Sequence, residues 1–120
     1  MLTDQELHNL AMNIVGNAVE ESLGWEFLMV NSQMDKDPQF VCVDAQNRKH
    51  FIIVRPVLYG DDPDEYDLLY MEVLKKRALE KGAYATYWAG VGLTNIKDKS
   101  QSLEKGKSYH VNFKGLLKIE

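Results

Sequence analysis

Residues 38–56 read PQFVCVDAQNRKHFIIVRP, and this stretch decides the fold. Its two apolar runs, Phe40–Val43 and Phe51–Val54, are apolar at every position, whereas a strand with one face in water alternates apolar and polar residues. The short, mostly polar connection Asp44–Lys49 joins the runs, and Asn47 within it can adopt positive φ. The stretch therefore predicts a β-hairpin whose two strands are covered on both faces.

Length and composition predict a single domain, residues 1–120. A chain of 120 residues is long enough for one ordinary domain and too short for two. No apolar stretch approaches the roughly 20 residues of a membrane span, and no signal segment is visible. The single cysteine, Cys42, cannot form an intramolecular disulfide. We therefore expect a soluble cytoplasmic protein without a membrane partner.

Charge is distributed unevenly along the chain. Residues 1–96 carry 15 acidic and 8 basic side chains, whereas residues 97–120 carry 6 lysines and 3 acids. The basic segment could contact an acidic partner, or it could be a solvated loop and edge strand. Acids interrupt the lysines and no arginine is present, so we favour the solvated loop and consider nucleic-acid binding unlikely.

The first helix is predicted from a capping box, in which Glu6 follows Thr3 by three residues. The helix should end before Gly24, a residue suited to the position after a helix. Gly16 lies inside the helix, where glycine costs about 1 kcal/mol relative to alanine but permits close packing. The expected apolar stripe is Leu7, Leu10, Ala11, Ile14, Val15, Ala18 and Val19.

The second helix is expected to begin near Pro63 and to run to about Lys81, before Gly82. We interpret the acidic run of residues 61–67 as helix capping and not as a cation site, because it lacks the spacing of a calcium loop. The predicted apolar stripe is Tyr66, Leu69, Tyr70, Val73, Leu74, Ala78 and Leu79.

Two strands beside the hairpin are less sharply defined. Trp25–Asn31 is predicted to be the first strand. Its simple alternation places Trp25, Phe27 and Met29 on one face and Glu26, Leu28 and Val30 on the other. Pro56 is expected to end the third strand, because proline has no N–H to donate to the ladder.

The last two predicted strands follow the second helix. Ala83–Val91 is the fourth strand, and Gly90 and Gly92 indicate close packing and not a phosphate loop. Ser108–Lys114 alternates apolar and polar residues, as is typical of a strand near a sheet edge. The predicted class is α/β (α+β), with an α-β-β-β-α-β core, a mixed sheet and two packed helices. Strands three and four, joined through a helix, should be parallel.

This order of elements resembles the core of the PD-(D/E)XK nuclease superfamily, with its restriction-endonuclease-like topology, over residues 4–92. The resemblance implies that Glu20 or Glu21 matches the helix acid and that Asp37 matches the strand acid. Such acids hold Mg²⁺, and a Glu-x-Lys motif on the third strand completes the site. Residues 53–55, Ile-Val-Arg, occupy that position, and isoleucine cannot bind a metal. We therefore expect no metal and no nuclease catalysis.

Four other segments resemble a family of short bacterial proteins labelled as the F component of the Na⁺-translocating NADH-quinone reductase. The segments are residues 8–16, 30–33, 38–42 and 89–93. The resemblance implies association with a redox complex. An iron–sulfur cluster needs four thiolates or near equivalents, and this chain has one cysteine and no G-x-G-x-x-G turn. We therefore expect no redox cofactor.

Arg55 is the most informative single side chain, since it follows four apolar residues at a strand end. A charge there needs a partner, such as Glu21, Asp37 or a bound anion. A salt-bridged arginine at the sheet rim is the alternative interpretation. The candidate binding pocket consists of Glu21, Asp37, Arg55, Tyr59, Tyr70 and Trp88.

Cysteine and histidine give no sign of catalysis. Cys42 is expected to be a buried, inert thiol, because it lies between two valines in a strand. The three histidines lack ligand spacing, and we expect His8 on a helix surface and His110 on a strand surface. Catalytic residues are unknown at this stage.

The leading hypothesis is a non-catalytic binding or accessory module with a degenerate nuclease-like fold. A nuclease-related nucleic-acid binder is the first alternative. Association with a redox complex, implied by the reductase label, is a disfavoured one. A homodimer through pairing of the Tyr109–Phe113 edge strands is a further hypothesis.

Overall fold

A six-stranded mixed sheet lies between two helices in the computed structural model, which describes residues Met1–Glu120. The elements in chain order are α1 (Asp4–Ser22), β1 (Glu26–Val30), β2 (Phe40–Val43), β3 (Lys49–Leu58), α2 (Leu68–Glu80), β4 (Ala83–Asn95), β5 (Tyr109–Asn112) and β6 (Leu117–Lys118). The strand order is β1-β2-β3-β4-β5, and β6 also pairs with β4. Only β3 and β4 are parallel, so the predicted α+β class and mixed sheet are confirmed.

The two helices cover opposite faces of β3, which explains its continuous apolar sequence. Ile52 and Val54 belong to the main core cluster beneath α1. Phe51 and Ile53 point the other way and pack with residues of α2. All four side chains are 7% exposed or less. The prediction that this strand is covered on both faces is therefore confirmed.

Helix α1 begins as its sequence predicts. The Thr3 hydroxyl accepts a hydrogen bond from the Glu6 N–H at 3.1 Å, and Glu6 Oε1 accepts one from the Thr3 N–H at 3.0 Å. Gly24, just beyond the helix, adopts φ +64°. Both ends of α1 thus carry the local signals that make a helix start and stop. Neither helix of the fold is both long and apolar enough to cross a membrane.

A β-bulge in β1 overturns the simple alternation expected for this strand. Phe27 pairs with Cys42 and Val30 pairs with Phe40, and the register shifts between Phe27 and Met29. Because Cys42 and Phe40 share a face, Phe27 and Val30 share it too. The prediction that Phe27 and Met29 lie on one face is wrong, since one extra residue reverses the alternation.

Strand β3 continues through Pro56 to Leu58, so the prediction that Pro56 ends it is wrong. The Val54 N–H points toward the β2 side, where it donates to the Gln39 side chain. Two residues later, the missing N–H of Pro56 falls on the same side. Strand β2 pairs only with residues 49–52 of β3, so no ladder partner is lost there. Strand β4 likewise runs beyond its predicted end, through Gly92 to Asn95.

Helix α2 begins later than predicted. Asp67 is its N-cap and accepts the Tyr70 N–H at 3.0 Å, whereas Pro63 lies in the preceding loop. Only part of the predicted stripe is buried, because the helix packs through Met71, Leu74 and Ala78. The exposed apolar residues of α2 are Leu68, Leu69, Tyr70, Val73 and Leu79. Apolar residues on several sides of the helix made the direction of packing ambiguous in the sequence.

The far edge of the sheet agrees with the sequence in outline. Strand β5 lies at the end of the strand order, as predicted for the alternating segment, and all four of its residues are exposed. Strand β6, only two residues long, was not predicted. Dimer formation through the Tyr109–Phe113 segment stays a prediction.

Candidate functional site

Asp37 and Arg55 form an ion pair at the end of the sheet. Asp37 lies in the loop before β2, and Arg55 lies in β3 beyond the last residue that pairs with β2. Arg55 Nη1 donates to Asp37 Oδ1 at 2.8 Å, and Nη2 donates to Oδ2 at 2.6 Å. The Asp37 side chain is 3% exposed and that of Arg55 is 28% exposed. The carboxylate is therefore buried, while the guanidinium reaches the surface.

Two further donors complete the surroundings of the Asp37 carboxylate. Gln39 Nε2 donates to Oδ1 at 2.8 Å, and the Tyr70 hydroxyl donates to Oδ2 at 2.6 Å. An ionised carboxylate accepts about four hydrogen bonds, and Asp37 receives four. Burial raises the pKa of Asp37, but hydrogen bonds from Arg55, Tyr70 and Gln39 outweigh burial and hold the pKa below its ordinary value.

Gln39 connects the loop to β3 and was missed by the sequence reasoning. It is fully buried, and its Oε1 accepts the Val54 N–H at 2.7 Å. Its Nε2 also donates to the Lys36 carbonyl at 3.1 Å. Gln39 thereby continues the pairing between strands where β2 ends. The signal was a lone amide placed directly before an apolar run, where burial obliges it to find partners.

His8 lies beside Arg55, and the prediction of a surface position for it is wrong. The side chain is 2% exposed, and its Nε2 is buried without a hydrogen-bond partner. Burial lowers the pKa of His8, the positive charge of Arg55 lowers it further, and Asp37 partly opposes this shift. Position 8 lies next to the buried Leu7 on the side of α1 that faces the end of β3.

An open cleft of about 360 Å³ lies over His8 and Arg55. Its wall combines polar and apolar side chains from α1, the loop before β2 and the end of β3. The lining residues are Asp4, Leu7, His8, Met34, Asp35, Arg55, Pro56 and Leu58. Such a cleft has the size of a small-molecule site.

A family model described as a domain of unknown function, DUF8840, matches residues 5–119. The chain belongs to this family. No curated protein and no solved structure is significantly similar to the chain. The comparisons therefore lend no support to the reductase label or to the nuclease resemblance.

The DUF8840 structure brings together three of the six predicted pocket residues, Asp37, Arg55 and Tyr70. Glu21 is exposed in the last turn of α1, roughly 20 Å along the helix from His8 at 1.5 Å per residue. Tyr59 is 54% exposed and lines a different cleft, beside Leu2.

Trp88, the remaining predicted member of the pocket, is largely buried. Its Nε1 donates to the Pro63 carbonyl at 2.8 Å, and its ring lies 5.6 Å from that of Tyr66. It belongs to the core cluster beneath α2, together with Ile53 and Met71. In this position Trp88 anchors the loop that precedes α2.

A second polar cluster of the DUF8840 domain was not predicted. His50 is 3% exposed and lies between Asp44 and Tyr87. Its Nε2 donates to Asp44 Oδ2 at 2.8 Å, so its Nδ1 is the acceptor for the Tyr87 hydroxyl at 2.9 Å. The imidazole stacks on Trp25, with ring centroids 3.8 Å apart. All polar atoms of this imidazole are satisfied, in contrast to those of His8.

Asp44 also ties the β2–β3 turn together. Its Oδ2 accepts Arg48 Nε at 2.8 Å, and its Oδ1 accepts the N–H groups of Gln46 and Arg48. Burial raises the pKa of Asp44, but hydrogen bonds from His50 and Arg48 outweigh it and hold the pKa well below its ordinary value. The cluster thus stabilises the hairpin.

Cys42 is completely buried in the DUF8840 core, as predicted. Burial raises the pKa of its thiol to about 11, so the thiol is protonated at neutral pH. No three His, Cys, Asp or Glu side chains form a group that could hold a metal ion.

Proposed function

We propose that this DUF8840 domain is a non-catalytic binding or accessory module with a degenerate nuclease-like order of elements. In this proposal, an ion pair occupies the place where the nuclease pattern has its metal acids. The observation that supports it is the saturation of the Asp37 carboxylate by Arg55, Gln39 and Tyr70. The open cleft beside Arg55 is the proposed binding site.

Electrostatics support this interpretation of Asp37. A Mg²⁺ ion binds carboxylate oxygens at about 2.0–2.1 Å, so it would have to displace donors that now occupy both oxygens. It would also lie close to the Arg55 guanidinium. At about 4 Å and an effective dielectric constant of about 20, a divalent and a monovalent cation repel by about 8 kcal/mol. The ion pair therefore opposes metal binding at this carboxylate.

Metal-dependent cleavage and metal-dependent stabilisation test the proposal together. We expect Mg²⁺ and Mn²⁺ to leave supercoiled plasmid intact and the melting temperature unchanged, since a bound ion would raise it by mass action. Asp61→Asn is the matched control, because Asp61 is an exposed acid without side-chain contacts. Mn²⁺-dependent nicking that Asp37→Asn abolishes and Asp61→Asn preserves would overturn the proposal.

Nucleic-acid binding is the second candidate, and exposed lysines favour it. Lys97, Lys99, Lys105 and Lys107 are exposed in the irregular segment between β4 and β5. Binding to phosphates through these lysines would weaken steeply with salt. Retention on single-stranded DNA at 20 mM salt, on the order of a tenfold loss by 100 mM, and loss in a Lys105→Gln/Lys107→Gln variant would support this candidate. No retention at low salt would reject it.

Association with a redox complex remains a third proposal, and only the resemblance to the reductase-labelled proteins carries it. The thiol of Cys42 is buried and protonated, so it offers no exposed thiolate to such a partner. We therefore rank this role last.

A further inference from the structure

Arg55 uses only one edge of its guanidinium to bind Asp37. A guanidinium carries five N–H donors in a planar fork. Nη1 donates to Asp37 and to the Val54 carbonyl, and Nη2 donates once, to Asp37. The Nε–H and the second Nη2–H, which run parallel along the adjacent edge, have no partner. This free edge matches a second carboxylate, and the side chain is 28% exposed.

His8 supplies an independent indication of a missing partner. Buried polar atoms are nearly always hydrogen-bonded, yet His8 Nε2 is buried without a partner. His8 and Arg55 line the same cleft. An orphaned imidazole nitrogen and a free guanidinium edge therefore meet at one site, and both can donate to an anionic group.

The rim of the cleft limits which anion fits. Asp4 and Asp35 are exposed carboxylates in the cleft wall. They repel a dianionic phosphate more strongly than a singly charged carboxylate, and they attract a cationic group on the same ligand. The rest of the wall is apolar and consists of Leu7, Met34, Pro56 and Leu58.

Building on the proposed binding role, we infer that the cleft binds a small zwitterion of the apolar amino-acid type. The ligand carboxylate pairs with the free edge of Arg55 and accepts a hydrogen bond from His8 Nε2. The ammonium group faces Asp4 and Asp35, and the apolar side chain lies against the apolar wall. The cleft, at about 360 Å³, has room for such a molecule.

NMR titration of the full chain tests this inference directly. The probes are L-leucine, L-methionine and L-phenylalanine, each added to about 10 mM, which is ten times a Kd of about 1 mM. We expect at least one to give saturable amide shifts at His8, Asp35 and Arg55. The controls 4-methylpentanoate and 3-methylbutylamine, which each lack one charge, should bind about tenfold or more weakly.

Variants keep the test decisive. Arg55→Met should reduce affinity about tenfold or more, but it also leaves Asp37 unpaired. The exposed pair Asp4→Asn/Asp35→Asn avoids that problem and should weaken the zwitterion while sparing 4-methylpentanoate. Lys114→Met, remote from the cleft wall, should change nothing.

Three results would overturn the inference. They are no saturable shift with any amino acid, equal binding of the carboxylate control, or shifts confined to residues outside the cleft. None of these results bears on Mn²⁺-dependent cleavage. Failure of the ligand class and failure of the non-catalytic proposal are therefore distinguishable.

Discussion

Arg55 joins the exposed end of β3 to the loop before β2 by holding both oxygens of Asp37, at 2.8 and 2.6 Å. The acceptor is buried and the donor is partly exposed, so the pair is anchored on one side and open on the other. Tyr70 adds a third element, because its hydroxyl brings α2 to the same carboxylate. The pair thus has both a structural role and an exposed edge.

Removal of one member of this pair should be costly. Asp37→Ala leaves Arg55 and Gln39 without their shared acceptor, and breaking a buried pair typically costs about 3–5 kcal/mol. We expect about 3 kcal/mol from urea unfolding, near the low end, because Arg55 keeps some contact with water. Asp61→Ala, at an exposed site, should change stability by less than about 0.5 kcal/mol. Equal effects of the two substitutions would show that the pair contributes little.

Two glycines predict opposite effects of alanine. A Cβ on Gly90 would lie 1.8 Å from the Pro63 carbonyl oxygen and 2.7 Å from Trp88 Nε1. Gly90→Ala should therefore break the Trp88–Pro63 hydrogen bond and cost about 3 kcal/mol or more. A Cβ on Gly16 meets Phe40 at an ordinary 3.5 Å, so Gly16→Ala should stabilise α1 by about 0.5–1 kcal/mol. Thermal unfolding distinguishes the two, and a stable Gly90→Ala would contradict the close approach.

The His50 cluster should contribute to stability through its hydrogen bonds. Tyr87→Phe removes the hydroxyl that His50 Nδ1 accepts, and an unsatisfied buried acceptor costs about 1–3 kcal/mol. Tyr84→Phe is the matched control, because the exposed Tyr84 hydroxyl donates no hydrogen bond to His50. Urea unfolding that shows the same loss for both variants would argue against the Asp44–His50–Tyr87 chain.

Stability should fall in mildly acidic solution because of His8. Burial and Arg55 lower its pKa below the ordinary 6.5, so the unfolded chain takes up a proton before the folded one does. The contribution is complete above pH 6.5 and is lost as the pH falls toward the lowered value. Asp37 opposes the shift, and Asp4 and Asp35 line the same cleft.

Urea unfolding at a series of pH values between 7 and 5 checks the His8 effect. The His8→Leu variant should lose less stability across this range than the unmodified chain does. His110→Gln, at an exposed position, should keep the full dependence. An unchanged pH slope in His8→Leu would contradict the assignment.

Asp37 should govern a separate step at lower pH. Its pKa is held below the ordinary 3.8, so its contribution is present above that value and is lost as the pH falls through the lowered one. Asp37→Asn should therefore flatten the acid limb below pH 4 without changing the His8 step. Acid titration of the unfolding midpoint in both variants separates the two, and an unaltered acid limb in Asp37→Asn would contradict the shift.

Local signals in the sequence were sufficient for much of the fold. The capping box of Thr3 and Glu6 and the continuous apolar run Phe51–Val54 each depend on neighbouring residues, and both predictions are confirmed. The failures depend on contacts distant in sequence. The β1 bulge follows from pairing with β2, and Pro56 is tolerated only because β2 has already ended.

The site was only partly predictable for the same reason. Arg55 was identified because a charge after four apolar residues requires a partner, and Asp37 was one of the partners considered. His8 was missed because it is adjacent to the predicted apolar stripe, and only the position of α1 over β3 buries it. Gln39 was missed because its role depends on where β2 ends.

The central claim is that Arg55, Gln39 and Tyr70 already occupy the Asp37 carboxylate, and Mn²⁺ provides the most direct measurement. Paramagnetic broadening of backbone amides by Mn²⁺, measured in ¹H–¹⁵N spectra, reports where the ion resides. We expect no selective broadening at Asp37, Gln39 or Arg55. Saturable broadening centred on these residues, abolished by Asp37→Asn, would contradict the account.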